Sequence, residues 1–251
     1  MIDARIRVVA AAVLLAAPAF AAEAERPALV LGTYYRCNQA TEERADAIFK
    51  DTLAPLLKQE VAAGRLTAFG WSKHWLGGEW RRLEYIIGTD LDAMVDARKS
   101  YIDKLDAGEL KKAGDEFTAL CPSHDDYLWS AAAGSQSATA VGRSRPAVGL
   151  TTYFQCDSRE DEADAIVKTA FAPIMNQHVK DGKIASWIWL RHMMGGKYRR
   201  ALVVDGADHK AMLKYWGSLT EALDAQQPEL SRSFGQICFS HSDYVWDLTT
   251  N

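Results

Sequence analysis

The chain has 251 residues, 48% of them hydrophobic, with eight Trp and a formal net charge of −4. That apolar share is enough for a packed core in one or two domains and excludes a disordered chain. Lys and Arg are scattered, with only short pairs such as Arg81-Arg82 and Arg199-Arg200. This excludes a nucleic-acid stripe and a patch for anionic membranes.

The N-terminus reads as a secretory signal over residues 1–21. Arg5 and Arg7 form a basic start, Val8 to Phe20 an apolar run, and Ala19-Phe20-Ala21 a small-residue cleavage site. The run is shorter than the roughly 20 residues that cross a bilayer, and no later segment is longer. The expectation is a periplasmic or secreted protein with no membrane insertion. Loss of Asp3, Arg5 and Arg7 would leave the mature chain at about −5.

From residue 28 onward the sequence repeats itself. Tyr34-Tyr35-Arg36-Cys37 falls on Tyr153-Phe154-Gln155-Cys156, and Asp46-Ala47-Ile48 on Asp164-Ala165-Ile166. Ala54-Pro55 matches Ala172-Pro173, and His74 with Gly77-Gly78-x-x-Arg81-Arg82 matches His192 with Gly195-Gly196-x-x-Arg199-Arg200. Cys121-x-Ser123-His124-x-Asp126-Tyr127-x-Trp129 matches Cys238-x-Ser240-His241-x-Asp243-Tyr244-x-Trp246. So many anchors in one order indicate a tandem module, 28–130 and 148–247. Residues 131–147, rich in Ala, Ser and Gly, read as a flexible linker whose ends would lie roughly 20 to 25 Å apart as a coil.

Each copy runs strand, helix, strand, strand, helix, strand. Leu29 to Cys37 alternates as a strand, and Ala45, Ile48, Phe49, Leu53, Leu56, Leu57 and Val61 form one helical stripe. Thr41 and Gly64 are the predicted caps of that helix, and Pro55 and Pro173 predict a kink inside it. Gly77-Gly78 predicts a hairpin turn. Met94, Ala97, Tyr101 and Leu105 mark the second helix, and Leu110, Ala113, Phe117 and Leu120 a shorter one before the last strand. The predicted fold is α+β: two tandem ferredoxin-like βαββαβ modules, each covering the other's open sheet. In element order and length the chain resembles the dimeric α/β-barrel superfamily, which includes NIPSNAP-like, EthD-like and antibiotic-biosynthesis-monooxygenase-like proteins. That resemblance implies an intramolecular pseudo-dimer, monomeric as a chain, and it implies function only weakly.

Four Cys in an exported chain imply disulfides, which four residues can pair in three ways. A ferredoxin-like sheet makes its first and fourth strands antiparallel neighbours, which selects Cys37 with Cys121 and Cys156 with Cys238. Each bridge would close a loop of about 85 residues, worth about 4 kcal/mol in the chain-entropy model. A redox pair or a zinc site would want C-x-x-C spacing, which is absent.

If Cys37 stands opposite Cys121, period-two alternation sets Tyr34 against His124 and Gly32 against Asp126. The second copy then sets Tyr153 against His241 and Thr151 against Asp243. His124, Asp126, His241 and Asp243 are the catalytic candidates: a His can move a proton and an Asp two residues along can orient it. The ligand-binding candidates are Tyr34, Tyr153, Arg36, His74 and His192. The competing account is structural: the His and Tyr satisfy each other inside an interface, Arg82 and Arg200 form salt bridges, and Trp71, Trp75, Trp187 and Trp189 pack a core. No metal and no cofactor is expected, with haem kept as a minor alternative because no His ranks above the others as an axial ligand.

Three functions follow from this pattern. The favoured one is binding of a small apolar or aromatic molecule between the modules. The second is a cofactor-independent oxygenase- or isomerase-like enzyme with His124 or His241 as base, and the third a non-catalytic interaction protein. A continuous cavity between the modules separates the first two from the third.

Overall fold

In a computed structural model of the chain, residues 27–136 and 147–249 are described. The signal segment lies outside the described residues, as do 137–146 of the expected linker. The start of that linker is strand, because β4 runs from Ser123 to Gln136.

The first half contains β1 (Leu29–Arg36), α1 (Glu42–Ile48), α2 (Ala54–Ala62), β2 (Ala68–Gly77), β3 (Arg82–Gly88), α3 (Leu91–Leu105), α4 (Lys111–Leu120) and β4. The second contains β5 (Val148–Gln155), α5 (Glu160–Ile166), α6 (Ala172–Lys180), β6 (Ser186–Gly195), β7 (Arg200–Gly206), α7 (His209–Gln226), α8 (Pro228–Ile237) and β8 (Ser240–Leu248). Asp90 and Asp208 cap α3 and α7, each accepting a backbone N–H three residues on. At the prolines, where the sequence predicts a kink, the chain forms a wider turn. Phe49–Leu53 and Val167–Phe171 are π turns, in which Ala54 N–H reaches Phe49 C=O and Ala172 N–H reaches Val167 C=O. Each turn absorbs one extra residue before Pro55 or Pro173, which then sits harmlessly in the first turn of α2 or α6.

The strands pair in the order β1-β3-β2-β8-β5-β7-β6-β4, and β4 returns to β1, so all eight close into one antiparallel barrel. This corrects the expectation of two tandem ferredoxin-like modules forming an α/β barrel by covering each other's sheets. The halves meet edge to edge, at β2–β8 and β4–β6, and not face to face. The physical reason is the edge: a free-standing four-stranded sheet leaves two rows of backbone N–H and C=O unpaired, and closure pairs both rows at once.

Closure sorts the side chains into three apolar clusters. Two lie between the sheet and the helices: one gathers Phe49, Leu57, Trp71 and Met94, the other Phe171, Met175, Trp189 and Met212. The third fills the barrel and holds Tyr34, Trp80, Tyr127, Trp129, Tyr153, Tyr198, Tyr244 and Trp246. The disulfides are Cys37–Cys121 and Cys156–Cys238. No helix among the described residues is long and apolar enough to cross a membrane.

Candidate functional site

Alternation along each strand decides what the barrel contains. β1 points Val30, Gly32 and Tyr34 inward, β5 points Gly149, Thr151 and Tyr153, and β8 points Tyr244, Trp246 and Leu248. At one end the two hairpins fold a ring over the opening. Trp80 stacks on Tyr244 at 5.0 Å and Tyr198 lies 5.8 Å from Trp80, and these rings rest on Tyr34, Tyr127 and Tyr153. The plug is fixed by polar bonds: Trp80 Nε1 donates to Asp125 at 2.7 Å and the Tyr198 hydroxyl to Ser242 at 2.8 Å.

Below the plug the rings give way to small residues, Gly32, Ala131, Ala133, Gly134 and Gly149, and a cavity of about 710 Å³ opens. Trp129, Trp246, Tyr34 and Tyr153 form its floor, and Val30, Ile87, Ile188, Val203 and Leu248 its walls. Its polar groups are few. Tyr34 and Tyr153 hydrogen-bond each other, and burial pushes both hydroxyls well above the ordinary tyrosine range, so they stay neutral donors and acceptors. The Trp246 indole N–H is buried with no acceptor among the described residues. Opposite the floor, Asp205 accepts from the Ser186 hydroxyl at 2.7 Å. Burial raises its pKa, and the Ser186 bond offsets only part of that.

The expected Tyr–His–Asp constellation is not assembled. Tyr35 stands opposite His124 and Thr33 opposite Asp126, while Tyr34 pairs with Asp125. In the second half Phe154 stands opposite His241, Thr152 opposite Asp243 and Tyr153 opposite Ser242. The register is one residue away from that expected, and a one-residue slip moves every side chain to the other face. His124 and Asp126 therefore lie on the helix-covered outside, as do His241 and Asp243. Asp126 accepts from Thr33 at 2.7 Å and from Arg98 at 3.2 Å, and the His–Asp contacts are 3.5 Å and 3.3 Å.

The cause is a single extra residue. Asn38 N–H bonds Leu120 C=O, so the disulfide does sit where Cys37 faces Cys121. Between that point and the Arg36–Ser123 pair, β1 advances one step fewer than the partner chain. Pro122, with no N–H to donate, occupies the extra place, and Phe239 occupies it in the second half, where it is exposed.

The remaining candidates surround the plug. Arg36 is held by Glu79 at 2.7 Å and Asp125 at 2.6 Å. The His74 and His192 Nδ1 atoms each meet an arginine, Arg81 or Arg199, at 2.7 Å, and burial beside those cations lowers both pKa values. Their rings lie edge-on to Trp246 and to Trp129. Arg82 and Arg200 are buried and bridged to Asp46 and Asp164, which also accept from Trp71 and Trp189. Of the ligand-binding candidates, Tyr34 and Tyr153 line the cavity and Arg36, His74 and His192 do not. Asp205 and Ser186 escape a reading of motifs, because the first half has Ile87 and Ala68 at their places. The one signal available is a lone acid in the apolar run Ala201-Leu202-Val203-Val204-Asp205.

No family model and no curated protein matches the chain. Solved structures do. A candidate monooxygenase from Lactobacillus acidophilus superposes with a TM-score of 0.56 at 8% identity, over 89% of this chain and 95% of that one. An anthrone oxidase-like protein gives 0.54 at 12%, over 90% and 93%. A heme-binding protein from Thermus thermophilus gives 0.50 at 10%, over 89% and 91%. The chain shares their fold. At such identities the likeness carries the fold alone, which is that of the monooxygenase-like and chlorite-dismutase-like ferredoxin-like barrels.

One neighbour is named for haem, a group that needs an axial donor and partners for its propionates. Among the described residues the barrel cavity is lined by no His, Cys or Met for an axial bond and by no Lys or Arg for propionates, and burial holds the Tyr34 and Tyr153 hydroxyls neutral. A second pocket, outside the barrel against α7 and α8, is lined by His241 and Met175, but at about 240 Å³ it is a third of the size. Neither fits a porphyrin as the side chains stand. Among the described residues no group of three His, Cys, Asp or Glu could hold a metal ion.

Proposed function

We propose that this is an exported binding protein, built from a duplicated module, that carries a small, largely apolar or aromatic molecule inside its barrel. The observation that carries this reading is the cavity of about 710 Å³, walled by aliphatic side chains, floored by four aromatic rings and stoppered at one end by Trp80 and Tyr198. Protein interiors of this size are normally filled, and an apolar, pre-formed hollow with few polar groups is the common form of a ligand site. A solidly packed interaction protein would have no use for it. The two disulfides fit an oxidising compartment outside the cytoplasm.

Native mass spectrometry of protein purified from its own compartment tests the reading, together with Val203→Trp, which fills the hollow. A bound organic molecule lost in Val203→Trp supports it. A ligand-free protein whose affinity for apolar probes is unchanged in Val203→Trp would overturn it.

The oxygenase- or isomerase-like alternative draws on the fold shared with the candidate monooxygenase and the anthrone oxidase-like protein. His241 lines the second pocket beside Phe154, Leu202 and Trp216, so a base there would act outside the barrel. Turnover that Val203→Trp leaves intact and His241→Ala abolishes would favour that reading.

A further inference from the structure

The two halves of the cavity wall differ at one cross-strand pair. In the first half Val30 stands opposite Ile87, two apolar side chains that fill their place. In the second half the equivalent pair is Gly149 opposite Asp205. The exchange removes a side chain and installs a carboxylate at the same spot. A β-carbon at Gly149 would lie 3.3 Å from Asp205 Oδ1 and 3.2 Å from Leu248, so the glycine keeps that oxygen uncovered. The other oxygen, Oδ2, takes the Ser186 hydroxyl at 2.7 Å.

We infer that Asp205 is the counter-charge for a monocationic organic amine, whose apolar or aromatic body fills the rest of the barrel. The inference rests on the cavity being the ligand site and names the class of ligand. Among the described residues no Lys, Arg or His lines the cavity, and Ser186 gives Asp205 its one side-chain hydrogen bond. A carboxylate withdrawn from water without a cation is costly, and burial accordingly raises the Asp205 pKa. A protonated amine supplies the missing charge and donates to Oδ1. An anion would meet an uncompensated carboxylate, and a neutral molecule would leave it as it is.

The test is isothermal titration calorimetry of the full, disulfide-intact protein with three isosteres: 2-naphthylmethylamine, 2-naphthylmethanol and 2-naphthoic acid. A charge-assisted hydrogen bond in a largely apolar site predicts that the amine binds at least about tenfold tighter than the alcohol, with the acid weakest. Asp205→Asn, which can still accept from Ser186, should bring amine and alcohol together. Equal binding of amine and alcohol to the parent protein would overturn the assignment of Asp205 while leaving the cavity as a ligand site. Failure of all three to bind would overturn the cavity reading with it. The ranking in the parent protein decides the matter even if Asp205→Asn does not fold.

Discussion

Gly78 of the first half is seated on the hydroxyl of Tyr244 in the second, close enough that a β-carbon at residue 78 would collide with it. Glu79 N–H donates to the same hydroxyl at 3.0 Å. Gly196 lies on Tyr127 in the reciprocal position. The two Gly-Gly turns are therefore the latches by which each hairpin closes the barrel over a strand of the other half. Gly78→Ala and Gly196→Ala should each cost about 1 to 3 kcal/mol, the usual range for overpacking, and the double variant more. Urea denaturation followed by tryptophan fluorescence measures this. A change below about 0.5 kcal/mol in both variants would show that the contact is incidental.

With His124 and His241 outside the barrel, His124→Ala with His241→Ala should leave binding to the barrel cavity within about twofold of the parent. Tyr34→Phe with Tyr153→Phe removes the hydroxyl pair at the floor and should weaken a ligand that hydrogen-bonds there by about tenfold, while one without polar groups is held as before. Calorimetry with both kinds of probe separates these outcomes. Loss of cavity binding in the histidine variant would mean that the outer face shapes the site.

The order of strands and helices and the hairpin glycines are legible in the sequence, because each is set by local periodicity or by a repeated residue type, and the disulfide partners follow from the adjacency of the first and last strands of each half. The closure of eight strands is not: nothing in an alternating strand says whether its edge is met by the other half's edge or left to solvent. The face assignment fails for a narrower reason. Cys37 and Cys121 face each other, but the chain inserts Pro122, or Phe239 in the second half, between the disulfide and the strand ladder. One residue exchanges the inside for the outside, so Tyr34 enters the cavity and His124 leaves it. Asp205 is hidden from repeat analysis for the opposite reason, since its importance lies in a difference between the halves.

Each disulfide joins the end of a first strand to the start of a last one, closing loops with sequence separations of 84 and 82 residues. By the chain-entropy model, Cys37→Ser with Cys121→Ser should cost roughly 4 to 5 kcal/mol, and so should the second pair. Because β4 also pairs with β6 and β8 with β2, the two losses are expected to act on one cooperative barrel. Denaturation of either variant should then give a single transition at lower denaturant. Two separate transitions would mean that the halves unfold independently.

Glu84 lies on the outer face of β3, buried, with one oxygen accepting from Tyr101 at 2.7 Å and the other without a hydrogen-bond partner among the described residues. Its place in the second half is taken by Leu202, a side chain with nothing to titrate. Burial raises the Glu84 pKa, and the Tyr101 bond and the nearby Arg98 charge offset only part of the rise. The folded state then holds this proton more tightly than the unfolded one. The stability that follows is fully present below the unfolded pKa and is lost as pH rises through the folded value. Asp46 and Glu160 run the other way. Burial pushes them up, but hydrogen bonds from Arg82 and Trp71, and from Arg199 and Arg200, hold them below the carboxylate range, so their contribution is present above the unfolded pKa and is lost as pH falls. Glu84→Gln should therefore remove a decline in stability on the neutral side while leaving acid unfolding as it is. The readout is the difference in unfolding free energy between variant and parent at pH 4, 5, 6, 7 and 8. It should shift steadily in favour of the variant as pH rises, whatever its absolute value at pH 4. A difference independent of pH would show that Glu84 is ionised in the folded protein with its ordinary affinity for protons.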